Sequence, residues 1–158
     1  MTAREGDRDP EIMRKVKEGS ERLARLEALG QRAVACKGFR WTAGMLGLSD
    51  HSSSRSIWIR VVDPPQDDTS ECWPDLSDPA TVGCLLALVR EAWHSPSLHT
   101  RIGVDGWEVR DTYCTVVDDK PATIVCGLDW KSRSGAIDPN EPHASEIEAL
   151  VAALEAAQ

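Results

Sequence analysis

The sequence lacks any apolar run approaching the roughly 20 residues that span a bilayer, so no transmembrane helix is expected. It has no Cys-x-x-Cys pair and no closely spaced Cys/His set, so a zinc site of the usual kind is not expected either. Neither a Walker or dinucleotide-type glycine loop nor a Gly-x-Ser-x-Gly turn occurs, which removes two familiar signatures of enzymes. Basic charge is scarce: 18 Lys and Arg against 26 Asp and Glu leave a net charge of −8. That is the opposite of a nucleic-acid footprint, and direct nucleic-acid binding is not expected. Met1 to Asp7 run into charge instead of an apolar stretch, so a secretory signal is not expected and the cytoplasm is. In that compartment Cys36, Cys72, Cys84, Cys114 and Cys126 are expected as free thiols.

What is present is a globular composition, 41% hydrophobic and 28% charged over 158 residues, suited to one domain of ordinary size. Charge is unevenly spread. Residues 1–30 balance seven basic against seven acidic side chains, and residues 31–60 hold five basic and one acidic. Residues 61–80 hold six acidic and no basic. The chain therefore carries one locally basic, tryptophan-containing stretch followed by an acidic run.

Asp9-Pro10 opens a helix with Asp9 as cap, and Ile12, Val16, Leu23 and Leu26 recur at helical spacing, with Gly19 in the skipped place. Gly30 reads as its C-terminal cap. This helix can dock on the domain or pair with a second copy. Residues 33–45 read as extended with a glycine turn, and Ile57–Val62 alternates like a strand. Asp78-Pro79 opens a second helix to Trp93, whose wide stripe of Val82, Leu85, Leu86, Val89 and Trp93 makes it the expected central element. Asp105-Gly106 predicts a two-residue hairpin loop pairing Val104 with Trp107 and Ile102 with Val109. Further strands are expected at Tyr113–Val117 and Ala122–Leu128. Ser145-Glu146-Ile147-Glu148 reads as a capping box before a last helix carrying Leu150, Val151 and Leu154. Strands that come as hairpins predict an α+β domain. The expected form is an antiparallel sheet of four to five strands packed by the helix Pro79–Trp93. The expected divisions are a disordered tail at 1–8, a helix at 9–30 and one α+β domain at 31–158.

The segment from Trp73 to Trp93, Trp-Pro-Asp-Leu-Ser-Asp-Pro-Ala-Thr-Val-Gly-Cys-Leu-Leu-Ala-Leu-Val-Arg-Glu-Ala-Trp, resembles a recurrent stretch of small uncharacterised phage and prophage proteins. Gly38 to Met45 and Ser145 to Leu154 are weaker anchors of the same resemblance, in matching order. No activity comes with it, so no site residue is carried over. It implies a phage accessory protein, of a kind that often counters host defence by binding a protein or sequestering a nucleotide signal.

Among candidate sites, the basic stretch offers Arg40, Trp41, Arg55, Trp58 and Arg60: guanidinium groups that pair with phosphate and indoles that stack on bases. The alternative is tryptophan in the core with arginine stems lying over it. Asp63, Asp67, Asp68 and Glu71 could present phosphate-like charge to a basic groove on a host protein, or form a solvated loop. His51-Ser52-Ser53-Ser54 and the pairs Asp67-Asp68 and Asp118-Asp119 sit in turn-like sequence, and His94 and His99 flank Pro96. No catalytic group, metal or cofactor is expected. The expected function is a non-enzymatic inhibitor of a host defence protein, comparable to an anti-CRISPR. The alternatives are a nucleotide sponge using Arg40, Trp41, Arg55 and Trp58, then an enzyme degrading such a signal.

Overall fold

The computed structural model describes residues 9–49, 57–60, 72–117, 120–126 and 143–157. Three helices, α1 (Pro10–Ala35), α2 (Pro79–Ala92) and α3 (Glu146–Ala156), accompany six strands. The strands are β1 (Leu46–Ser49), β2 (Ile57–Arg60), β3 (Cys72–Pro74), β4 (His99–Ile102), β5 (Trp107–Val117) and β6 (Lys120–Cys126). The α+β class is as expected, but the strands do not join one sheet. They form two three-stranded antiparallel sheets, β2-β1-β3 and β4-β5-β6. Between them in sequence runs α2, and α3 packs on α1, α2, β4 and β5.

The central helix is α3, not α2. Ala149 to Leu154 and Ala156 are all buried, whereas α2 buries Thr81, Leu85, Leu88 and Val89. Periodicity misjudges this because it weighs large side chains. Ala149, Ala152, Ala153 and Ala156 have little surface to bury, yet they let neighbours approach α3 from every side. Leu150 and Leu154 fill the centre, each contributing about 2 kcal/mol by burial.

The three helix starts follow their capping residues. Asp9 accepts from Glu11 N at 2.9 Å and Asp78 accepts from Thr81 N at 3.0 Å. Ser145 Oγ accepts from Glu148 N at 3.2 Å, while the Glu148 carboxylate reaches back to Ala144 N at 3.1 Å. Helix ends are less legible. Helix α1 continues through Gly30 to Ala35, so residues 33–35 are helical and the chain reaches a strand only at Leu46. Gly30 serves packing instead: a Cβ there would lie 2.9 Å from the Pro74 carbonyl oxygen and 3.1 Å from Trp73 Cδ1. The last turns of α1 thus press on β3, and Leu29 and Ala33 join the core.

Two other expectations change. The β4–β5 register pairs Ile102 with Trp107 and Thr100 with Val109, and Gly103 N donates to the Gly106 carbonyl at 2.7 Å, so the two-residue turn is Val104-Asp105, one position earlier than expected. Gly106, at φ +150°, is required for another reason: a Cβ would lie 2.5 Å from the His143 carbonyl oxygen. That carbonyl accepts from Trp107 N at 2.8 Å, and His143 N donates to the Trp107 carbonyl at 2.9 Å. Strand β5 also runs unbroken from Trp107 to Val117, and β6 begins at Lys120. The expected tail at 1–8, the serine loop, Asp118-Asp119, and the segment 127–142 lie outside the described residues.

One substitution at two glycines of α1 separates packing from propensity. A Cβ added at Gly19 would have nothing within 4 Å, so Gly19→Ala should stabilise by about 0.5–1 kcal/mol through helix propensity alone. Gly30→Ala gains the same propensity but collides with strand backbone, and should destabilise by about 1–3 kcal/mol net. Urea unfolding of both variants checks the opposite signs.

Candidate functional site

Residues 72–81 are bound up in holding β1, β3 and α2 together. Asp75, nearly fully buried, accepts from Ser77 N at 2.9 Å and Ser77 Oγ at 2.6 Å, and its own N–H donates to the Leu46 carbonyl at 2.7 Å. Asp78 accepts from Thr81 Oγ1 at 2.8 Å, and Thr81 Oγ1 accepts from Leu46 N at 2.8 Å. The last two members of the acidic run, Asp75 and Asp78, are therefore structural. The four singled out for partner binding, Asp63, Asp67, Asp68 and Glu71, lie outside the described residues.

The expected nucleotide set is only partly placed. Arg40 forks onto Glu91, with Nη1 donating to Oε1 at 2.7 Å and Nη2 to Oε2. The Arg40 guanidinium draws the Glu91 carboxyl below its ordinary range, so both stay charged at neutral pH. Trp41 is half-buried against the core, meeting Phe39 edge-to-face with ring centroids 5.6 Å apart. Trp58 and Arg60 lie on β2, opposite Leu48 and Leu46, and Arg55 lies outside the described residues. Thus Arg40 carries a ready partner and Trp41 packs as a core-edge residue.

Around Arg40 the chain forms a shallow recess of about 370 Å³, lined in part by Lys37, Glu91 and His94. His94 adopts φ 54°, in the left-handed region, directly after α2. Its N–H donates to the Glu91 carbonyl at 3.0 Å and Ser95 N to the Arg90 carbonyl at 2.9 Å, closing the helix where glycine is usual. His99 sits apart on β4, its Nδ1 3.1 Å from the Ser97 carbonyl. Among the described residues no group of three His, Cys, Asp or Glu could hold a metal ion.

A larger concave surface is not foreseen by the sequence. A groove of about 570 Å³ opens between α1, the start of α2, β5 and the start of α3. Its walls are Leu26, Leu76, Val82, Leu86, Trp107 and Ile147, with Arg22 and Glu146 as charged members. Thr100 Oγ1 donates to Glu146 at 2.5 Å, fixing that carboxylate. Gly83 also lines it, and a side chain added there would meet nothing within 4 Å of its Cβ. Periodicity assigns Val82 and Leu86 to the core stripe of α2, and the one signal of the groove is the excess width of that stripe: the packed face needs Thr81, Leu85, Leu88 and Val89. Nearby, Glu108 is held below the ordinary carboxylate range by Arg110, with Arg101 adding to the effect. Burial pushes Asp111 up, but hydrogen bonds from Ser97, Ser95 and Thr112 N outweigh it and leave the group lowered.

Comparison with known protein families, curated proteins and solved structures finds no match for this chain.

The left-handed His94 makes a local prediction. Replacing it by glycine relieves Cβ strain and should stabilise the protein by about 1 kcal/mol, measured by urea unfolding. Unchanged or lower stability would mean that the His94 side chain supplies a compensating contact.

Proposed function

We propose that this protein is a non-catalytic binding protein of phage type, acting in the host cytoplasm to inhibit a host defence protein. The observation that carries the reading is the groove beside α2, whose apolar walls and sparse charged rim suit side chains of a protein partner. The net charge of −8 favours a partner with a basic surface around the contact. The phage-like segment Trp73–Trp93 supports the biological setting, and it forms one wall of that groove through Leu76, Pro79, Val82, Gly83 and Leu86. No helix among the described residues is long and apolar enough to cross a membrane. Asp63, Asp67, Asp68 and Glu71 add to the negative charge offered to the partner in this reading.

The test is functional. Expressed in a bacterium carrying the targeted defence system, the protein should raise plating of a sensitive phage by orders of magnitude. Gly83→Arg places a long side chain in the groove where its Cβ has room, so it should fold normally and abolish that protection. Charge reversal of Asp67, Asp68 and Glu71 to lysine should weaken it. Full protection by Gly83→Arg, with an intact nucleotide released on denaturing protein from infected cells, would replace this reading by the sponge.

A further inference from the structure

The apolar seam of α1 outlasts the surface that it packs on. Its positions recur at alternating spacings of four and three: Ile12, Val16, Gly19, Leu23, Leu26, Gly30 and Ala33. From Leu26 onward the seam faces the protein's own body, with Leu29, Gly30 and Ala33 buried. Before that, α1 projects, and Ile12, Val16 and Leu23 are 59%, 62% and 63% exposed. Two heptads of a coiled-coil seam thus stand uncovered. Gly19 lies at its middle, in a helix interior where glycine costs about 1 kcal/mol and where nothing touches a Cβ. Within one copy the glycine has no use.

We infer that the projecting part of α1 pairs with the same segment of a second copy, antiparallel, about a centre between Lys17 and Glu18. Two observations select this occupant and direction. First, the exposed seam is symmetric about that centre: reversal sets Ile12 beside Leu23 and Val16 beside Gly19 of the other copy, a large residue facing a small one. A parallel pair in register would instead set Val16 against Val16 and Gly19 against Gly19, crowding one layer and leaving a gap in the next. The ion pairs Lys15–Glu11, Arg14–Glu18 and Lys17–Glu21 run along each helix and leave the direction to the apolar seam.

The second observation is steric. In a parallel pair the second helix would continue along the seam past Leu26, where the first copy's own body already lies. In the antiparallel pair the second helix ends there, because its Asp9 cap arrives opposite Leu26. Its Ile12 then approaches a crevice of about 150 Å³ bordered by Leu23, Leu26, Leu48 and Trp73. The exposed length of α1 and the length needed for pairing coincide. The pairing does not depend on the inhibitor reading, since it involves only copies of this chain.

A seam of two heptads buries an area at the low end of specific interfaces, so the dimer is concentration-dependent. Sedimentation of the full chain from about 200 µM through a hundredfold dilution should pass from dimer toward monomer. Val16→Glu, at an exposed position that leaves the body untouched, should weaken association at least about tenfold while the circular dichroism stays folded. Orientation is read from Ile12→Cys combined with Leu23→Cys in one chain, oxidised and mapped by peptide mass spectrometry. Cross-links joining residue 12 to residue 23 of the other copy are the expected result. A monomer at every concentration, a dimer indifferent to Val16→Glu, or cross-links joining 12 to 12 and 23 to 23 would each overturn the inference.

Discussion

Close packing around a helix built largely of alanine sets the terms for the rest of the structure. Helix α3 is covered by α1, α2, β4 and β5, and such a position admits only small residues wherever a neighbouring backbone comes near. Polar ties fix the neighbours in place around it. Arg32 of α1 forks onto Glu155 at 2.9 and 2.8 Å, and Trp93 Nε1, at the end of α2, donates to the Ala153 carbonyl at 2.8 Å. Since the final helix is the hub, the domain closes only when both ends of the chain meet: α1 is joined to α3 by residues more than a hundred positions apart. That is a high-contact-order core, whose loop-closure entropy must be met before its contacts form.

A second consequence concerns the segment of Trp73–Thr81. Its aspartates and threonine would read as candidate chemistry in isolation. In the fold they satisfy each other and the backbone of β1, so the strand and α2 share one polar joint. Such a joint sits where a strand edge would otherwise leave unpaired N–H and C=O groups, and burial makes each unmade bond costly. The two surfaces proposed for binding accordingly lie beside this joint and along α1. They use apolar side chains that the joint and the α3 packing leave over.

How much could be read in advance depended on how local the determinant was. All three helix starts were legible, because a cap is decided by Asp9, Asp78 or Ser145 and the few residues after it. Gly30 misled because its role is set by Trp73 and Pro74, over forty positions away, and Gly106 likewise answers to His143. The division into two sheets was not legible, since β3 is three residues long and carries no alternation. The centrality of α3 was hidden by alanine, which scores weakly in an apolar stripe yet packs best. Of the candidate site, the charge of Arg40 was visible while its partner Glu91, 51 positions on, was not. The groove was foreshadowed only by the extra width of the α2 stripe. The uncovered seam of α1 was legible in spacing, and the fold showed which half of it is left bare.

The central claim is this division between a body closed around α3 and an arm that is stable only as far as it is covered. Hydrogen exchange at high dilution tests it most directly, reading amides of α3 against those of α1. The account predicts that Leu150–Leu154 exchange last, through global unfolding, while amides before Leu23 exchange faster by orders of magnitude and those from Leu29 onward are protected. Protection of α2 outlasting that of α3, or uniform protection along α1 in dilute solution, would contradict it.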